Sequence, residues 1–487
     1  MNPYFQRVWT VQEIAMAHSI RVHYGTSVVS WRDFVASALL TVKQPGGFLR
    51  NQKGKIDVFL QGETQWKLLN SLESHFVLPD IYGLEALYDS RNKRNILDKL
   101  THGTAELALI KSKGLDATEP KDKAYAMLWA FPDSSKVTDA LHDVDYDKTI
   151  DDIYTEYTIA IFTRMKGGPE QFYWVNSAQR NASLPSWVPD WKESTSMWFN
   201  LWAATLKSFR AAKEDSGKYK LEIEGRLLRI WGIEHSRIKA LIRLTEEVRQ
   251  RDTAGPEGLL EALIDTAELL KSFIDASREI IGTRDERILE AFHRVIHPHR
   301  DSYVPGPEDQ SNFIGTQKEV ELSQRLNVSI GLLRILLFDK LSPLMDRTTI
   351  PTESLRSIFE AFLSEDEVHD VIQKSEELSN LPPFFAIVVS LQPYINIYHL
   401  VHTALLDHRD KDFFLTDKGN MGTAFHGLNA GDTIAVWKGC PSPMIVRKAE
   451  IDGRVFYRFH GPAYVDGIMN GEAWIKEEDD LHAFELI

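Results

Sequence analysis

At 487 residues, 43% of them hydrophobic and 26% charged, the chain has the composition of a folding globular protein and the length for about two to four packing units. Its formal net charge of −14 repels polyanions and anionic membranes, which argues against nucleic acid as a partner. A single cysteine, Cys440, excludes an internal disulfide framework and a multi-cysteine zinc site, and fits a reducing, cytoplasmic setting.

Asn2 as N-cap and Pro3 at the first helical position predict a helix from Pro3 to Ala17. On it Phe5, Val8, Trp9, Gln12 and Met16 share one side, and Glu13 sits at the border of that stripe beside Trp9. This start lacks the uninterrupted apolar run of a secretory signal. Ile20, Val22 and Tyr24 alternate with Arg21 and His23 ahead of Gly25, the pattern of a half-buried strand. Ser30 and Asp33, before an apolar run to Val42, predict a second helix. A loop follows from Gly46-Gly47 to Lys55, then mixed helical patterning to Leu100.

Pro120 opens a short predicted helix through Trp129, ended by Pro132 and Asp133. Thr149 with Asp152 caps a longer one that carries Ile153, Tyr157 and Ile161. The prolines of Leu184-Pro185-Ser186-Trp187-Val188-Pro189-Asp190-Trp191 forbid helix or central strand, so this segment is expected to be a rigid, packed connector. Leu221 and Ile223, then Leu227 to Trp231, predict a short strand pair, and residues 240–380 return to charge-rich helical patterns broken at Tyr303-Val304-Pro305-Gly306-Pro307. The apolar stretch from Phe384 to Leu391 is ended by Gln392 and Pro393, well short of the roughly 20 residues of a membrane span. The last seventy-odd residues hold short runs such as Thr433 to Trp437 and Arg454 to Phe459, punctuated by glycines, and predict a small barrel or compact sandwich.

Three blocks of this sequence, in this order, resemble fungal heterokaryon-incompatibility (HET) domain proteins. The first is Arg7-Val8-Trp9-Thr10-Val11-Gln12-Glu13-Ile14, similar to the family's R-x-W-x-x-Q-E helix. The second is Glu119-Pro120-Lys121-Asp122-Lys123-Ala124-Tyr125-Ala126-Met127-Leu128, with Val144-Asp145-Tyr146, the helix to Tyr157, and the connector from Leu184 to Trp191. The third and most specific is the terminal module, through Gly422, Gly431-Asp432-Thr433-Ile434, Gly439, Pro443, Arg447 and Tyr464-Val465-Asp466-Gly467-Ile468-Met469-Asn470-Gly471-Glu472.

The resemblance implies an α+β chain. A mainly α-helical body follows an N-terminal remnant of an α/β, Toll/interleukin-1-receptor-like domain, and a small β-barrel-like module ends it. The divisions expected are the HET remnant at 1–40, a helical body with the connector and short strands at 41–235, a helical insertion at 236–380, and a helix with the glycine-rich module at 381–487. Two earlier family blocks, a serine-tyrosine-x-tryptophan-glycine segment and an aspartate-x-x-cysteine-isoleucine-asparagine-glutamine segment, have no counterpart here, so the chain is expected to start within that domain. The function implied is a nonself-recognition response protein, a signalling or interaction protein linked to regulated cell death. Its expected partners are proteins, full-length HET-domain proteins among them.

Trp9 and Glu13 also have the W-x-x-x-E spacing of Toll/interleukin-1-receptor-like domains that cleave NAD. The alternative function is therefore a NAD-cleaving enzyme with Glu13 as catalytic carboxylate, supported by Arg7, Trp9 and Gln12, and with NAD as its substrate. A carboxylate beside apolar surface could stabilise the oxocarbenium-like charge that develops as nicotinamide leaves. The sequence favours the plainer role, a border glutamate on a surface helix, since a dinucleotide pocket needs groups from several strands. A degenerate, non-catalytic scaffold is the third reading.

Tyr464, Asp466 and Glu472 are the candidates for a recognition surface, against a simpler role in turns at a barrel rim. No metal site is expected. Asp143, Asp145, Asp147 and Asp151 fail as a calcium loop at Lys148 and Tyr154, and Pro298 breaks the helix that would carry His293 and His297 toward His299. Cys440, between Gly439 and Pro441, reads as a turn residue beside a strand rather than a nucleophile. The common dinucleotide, phosphate-loop, hydrolase and zinc-protease signatures are absent.

Overall fold

The computed structural model describes residues 7–10, 13, 17, 19–24, 26–30, 115–126, 144–164, 169–175, 181–192, 202, 205–207, 209–212, 219–250, 255–281, 285–296, 364–378, 380, 386, 390, 405, 408–474 and 481–487. The chain divides into two compact units, Met1–Ala204 with Leu221–Arg229 and Glu485–Ile487, and Thr205–Lys220 with Ile230–Phe484. Ser30, expected to start a second helix, instead ends strand β2, while the rest of that predicted helix, to Val42, and the loop at Tyr303 to Pro307 lie outside the described residues.

In the first unit the predicted strand is β1 (Arg21–Tyr24), paired antiparallel with β2 (Ser27–Ser30), Tyr24 opposite Ser27. Helical backbone is seen at Trp9, Thr10 and Glu13, whereas Arg7 forms an isolated parallel bridge with Asp116 and Val8 is in a turn. The sequence pattern predicts helix over both. The Val8 amide donates instead to the Asp116 carbonyl at 2.9 Å, a bond to a distant segment that replaces the local one.

Helix α1 (Asp122–Tyr125) leads to α2 (Ile150–Arg164), whose start is as predicted: the Asp152 amide donates to the Thr149 hydroxyl at 3.2 Å. Both elements are tied by the Tyr154 hydroxyl, which donates to the Pro120 carbonyl at 2.8 Å. The inward face of α2 meets the proline-tryptophan connector, where every residue from Leu184 to Trp191 is buried. Tyr157 stands edge-on to Trp191 with centroids 5.5 Å apart, and Trp191 meets Trp174 of the 3-10 segment Pro169–Trp174 at 5.7 Å. The Trp187 indole donates to the Arg226 carbonyl at 3.1 Å. The connector is thus an aromatic core segment; prolines fix its path and tryptophans supply buried area on the order of 200 Å² each.

Strand β3 (Leu221–Glu224) turns at Gly225, φ +58°, into the sixteen-residue β4 (Leu227–Ile242). The sequence predicts this second strand to end near Trp231, but it runs on across residue 235 and becomes part of a barrel in the second unit. After it come α3 (Glu246–Arg249), α4 (Gly255–Ile281), α5 (Asp285–Ile296) and α6 (Glu365–Glu377). Phe273 of α4 makes edge contacts with Phe292 of α5 at 5.4 Å and with Phe413 at 5.5 Å.

The remaining strands are β5 (Lys411–Thr416), β6 (Met421–Phe425), β7 (Thr433–Trp437), β8 (Met444–Ile451), β9 (Arg454–Val465) and β10 (His482–Leu486). Antiparallel pairing runs β4-β5-β6-β9-β8-β7 and returns to β4, a closed circuit that leaves these six without a free edge. β10 pairs with both β4 and β9. The predicted small barrel is therefore present, and its closing strand comes from far upstream of the glycine-rich module. β4 serves two neighbours in succession: Gly232 to Arg237 face β7, and Ile238 to Ile242 face β5, with register shifts at Glu234/Ser236 and Ile238/Ala240. Such bulges turn a strand round a barrel corner. Ile233, Ile238, Phe414, Ile434, Val436, Ile445 and Val465 belong to the core the circuit encloses.

Candidate functional site

The N-terminal candidates fall at a junction in the first unit. The Trp9 indole Nε1 donates to Asp122 Oδ2 at 3.0 Å, and the other oxygen of that carboxylate accepts from the Tyr146 hydroxyl at 2.6 Å. Tyr146 in turn lies edge-on to Tyr125 at 5.3 Å, and the Tyr125 hydroxyl donates to the Asp145 carbonyl at 2.7 Å. Asp122 so gathers residues from three separate stretches of sequence. Its hydrogen bond and charge, with burial between them in weight, hold the Tyr146 hydroxyl up at about 12. Beside it Lys123 is 5% exposed and donates to the Leu115 carbonyl; burial pulls its pKa from 10.5 down to about 8, with Asp116 opposing. Glu13 and Arg7 are exposed, and Gln12 lies outside the described residues. The Trp9–Glu13 spacing therefore does not produce a desolvated carboxylate: Trp9 is committed to Asp122, and Glu13 faces water.

The acidic run near α2 does turn chemistry. The Asp147 amide donates to Asp145 Oδ1 at 2.8 Å, and Asp151 accepts from the Asn181 amide group at 3.1 Å and from the Ser183 hydroxyl. Asp143, His297 and His299 lie outside the described residues.

In the second unit, Asp466 is held by both arms of Arg294 on α5, at 2.6 and 3.0 Å, and its carbonyl accepts from the Asn420 side chain at 3.0 Å. Glu472 is exposed and closes a turn by accepting from the Asn470 amide at 2.7 Å. Tyr464 corrects the sequence expectation of a recognition surface: it is 2% exposed, its ring edge-on to Phe209 at 5.6 Å. The last third of β9 is covered on both faces, so a side chain pointing away from the barrel core is buried there as well. Cys440 is buried in the turn after β7, its amide donating to the Trp437 carbonyl at 3.0 Å, and burial pushes its thiol up. It is a poor nucleophile in this setting.

Two motif residues of the terminal module form one device. Arg447 grips Asp432 with two hydrogen bonds, 2.7 and 2.8 Å, and reaches the Gly427 carbonyl at 2.8 Å; Asp432 also accepts from the Asn429 amide at 2.7 Å. The loop between β6 and β7 is thereby pinned from inside.

That loop borders a cluster no sequence motif announces. Asp412 lies on β5 two residues before Phe414, a core residue, so alternation puts it on the same inward face at the end of the barrel. Its side chain is 2% exposed. His426, just past β6, places Nδ1 2.7 Å from Asp412 Oδ1. Arg243, just past β4, sits with Nε 3.4 Å from Oδ2, and Arg249 of α3 with Nη2 3.8 Å from Oδ1. Burial alone would raise the Asp412 pKa; the hydrogen bond and charge of His426, then Arg243, outweigh it and hold the carboxyl below the usual range. A carboxylate orienting a histidine is the support of a general base, but His426 Nε2 abuts Arg249 Nη1 and the Arg409 carbonyl at 2.9 Å. Its outer nitrogen is occupied, so the cluster is built for charge rather than for proton transfer.

Residues 392–486 match the Het-6 beta-barrel domain. No curated protein and no solved structure matches the chain. The match supports a protein of the HET type, the family that the sequence blocks resemble. It spans β5 to β10, including the Asp432–Arg447 clamp, Asp412 and His426, whereas β4, which closes the Het-6 barrel, and both Arg243 and Arg249 precede the matched segment. Among the described residues no helix is long and apolar enough to cross a membrane.

Proposed function

We propose that this chain is a response protein of fungal nonself recognition, acting in the cytoplasm as a signalling or interaction protein linked to regulated cell death, with full-length HET-domain proteins as partners. The match of residues 392–486 to the Het-6 beta-barrel domain carries the reading. Two features favour interaction over NAD cleavage at Glu13. The carboxylate is exposed, so it keeps the hydration that weakens any stabilisation of a developing cation. Trp9, which would wall such a site, spends its indole N–H on Asp122. Both favour a structural role for Trp9 at the junction between sequence blocks.

The test has two arms. Tagged chain is induced in hyphae that express a full-length HET-domain protein; co-recovery of that protein and faster uptake of a vital dye are expected, and a chain that recovers none and leaves viability untouched overturns the proposal. Separately, purified chain is incubated with NAD. Nicotinamide release that disappears in Glu13→Gln would establish the enzymatic alternative instead.

A further inference from the structure

The charge around Asp412 does not balance. One buried carboxylate faces two guanidinium groups and an imidazole, drawn from the end of β4, from α3 and from the loop after β6. Among the neighbouring carboxylates, Asp410 pairs with the buried Lys411 at 3.8 Å, Asp432 is taken by Arg447, and Glu246 of α3 accepts from the Gln250 side chain at 2.5 Å. The two arginines also hold Asp412 loosely. Arg447 and Arg294 grip their carboxylates through two hydrogen bonds of 2.6 to 3.0 Å, whereas Arg243 and Arg249 stand 3.4 and 3.8 Å from theirs, and no hydrogen bond reaches Asp412 Oδ2. Their forks are positioned by backbone instead: Arg243 Nη2 donates to the Leu428 carbonyl at 2.5 Å and Arg249 Nε to the Leu244 carbonyl at 2.9 Å. Among the described residues no hydrogen bond engages Arg243 Nη1 or Arg249 Nη2.

We propose that this end of the barrel binds a phosphate group between Arg243 and Arg249. Two pre-oriented guanidinium forks on a partly buried, net-positive site suit a ligand with several anionic oxygens, each able to accept from a different arm. Asp412 lies between the two cations and offsets part of their charge, while the Leu428 and Leu244 carbonyls fix the forks. His426 holds Asp412 through Nδ1, and its Nε2 is taken by the Arg409 carbonyl and Arg249, so the phosphate contacts fall to the two arginines. In a chain of net charge −14, such a site would select its anion by local geometry rather than by overall attraction.

The experiment titrates the full chain with inorganic phosphate by calorimetry at fixed ionic strength, with acetate as the carboxylate control and phosphatidic acid vesicles as the lipid-borne form of the same group. Saturable phosphate binding is expected, with acetate failing to bind, and with dissociation constants raised about tenfold or more in Arg243→Gln and only in part restored by Arg243→Lys. Arg243 is half exposed, so its substitution leaves the barrel folded, which far-ultraviolet circular dichroism verifies. Vesicle binding that depends on Arg243 assigns the group to a lipid headgroup; phosphate binding without it assigns a soluble phosphorylated molecule. Absence of both, or binding indifferent to Arg243→Gln, overturns the proposal.

Discussion

Gly232 lies where β4 and β7 meet, opposite Trp437, and the barrel closes only through that seam. A Cβ placed there would lie 2.5 Å from the Val436 carbonyl oxygen and 2.8 Å from the Trp437 Cα, both of them backbone atoms. Ordinary contact begins at 3.4 Å, about 0.9 Å further out, so two paired strands must part or twist to admit one methyl. Gly232 is not among the positive-φ glycines, so backbone conformation alone would accept alanine. Without the clash, Gly232→Ala would stabilise by roughly 0.4–1 kcal/mol through the unfolded chain. With it, overpacking costs about 1–3 kcal/mol, and strained hydrogen bonds along the seam push toward the upper end. The two accounts differ in sign. Urea unfolding followed by tryptophan fluorescence, which Trp437 at the seam reports, measures it: the midpoint should fall with the slope unchanged. A neutral or higher midpoint would refute the closed-seam geometry.

Other consequences are equally open to measurement. Lys123 binds its proton less tightly when folded, so the unfolded chain holds more protons between about 8 and 10.5 and stability rises with pH across that window. Lys123→Met should remove that rise and add up to about 3 kcal/mol at neutral pH, read from denaturant melts at pH 7 and pH 10. Breaking the clamp by Arg447→Met leaves Asp432 buried and unpaired and should cost about 3 kcal/mol; Arg447→Lys, which keeps the charge but not the fork, should recover less than half, by the same melts. The carboxyl of Asp412 is depressed when folded, so its contribution is present above the ordinary value of 3.8 and lost as pH falls through the lower folded value. His426→Asn removes the main lowering influence and should move the acid-unfolding midpoint to higher pH, monitored by circular dichroism.

What could be read from sequence tracks how local the deciding force is. β7 was legible to its end residues because it is short and bounded by Gly431 and Gly439, and the start of α2 because Thr149 and Asp152 settle it between themselves. β9 was legible only to Phe459: beyond it both faces are buried and the polar-apolar alternation that marks a strand disappears. β4 was cut short for a different reason. Its second half alternates weakly against charged residues, and what holds it there is pairing with strands near 415 and 435, which no local window contains. The Asp412 cluster joins residues separated by up to 183 positions, from Arg243 to His426, through ion pairs and a hydrogen bond that no local window contains. The predicted first helix does not cover Arg7 and Val8, because a bond from Val8 to Asp116 redirects the chain there, a partner more than a hundred residues away. Tyr464 misled because motif membership marks a fixed position without saying whether its side chain meets water or Phe209.

The pairing of Ile242 with Phe413 has a consequence for how such a chain can change. The polypeptide leaves the barrel at the end of β4 and re-enters it beside the same point at β5, so everything from 243 to 410 is in topological terms one hairpin connection. Closing a connection costs only about 0.6 kcal/mol more for each doubling of its length. The closure cost is therefore nearly indifferent to how much sequence is housed there, and lineages could lengthen or shorten the excursion provided they keep Phe273 against Phe413, Arg294 on Asp466, and, if the phosphate site is used, Arg243 and Arg249 at its upstream root. Variation should then concentrate inside the excursion, while β4, distant in sequence from the module it completes, changes in step with β5 and β7.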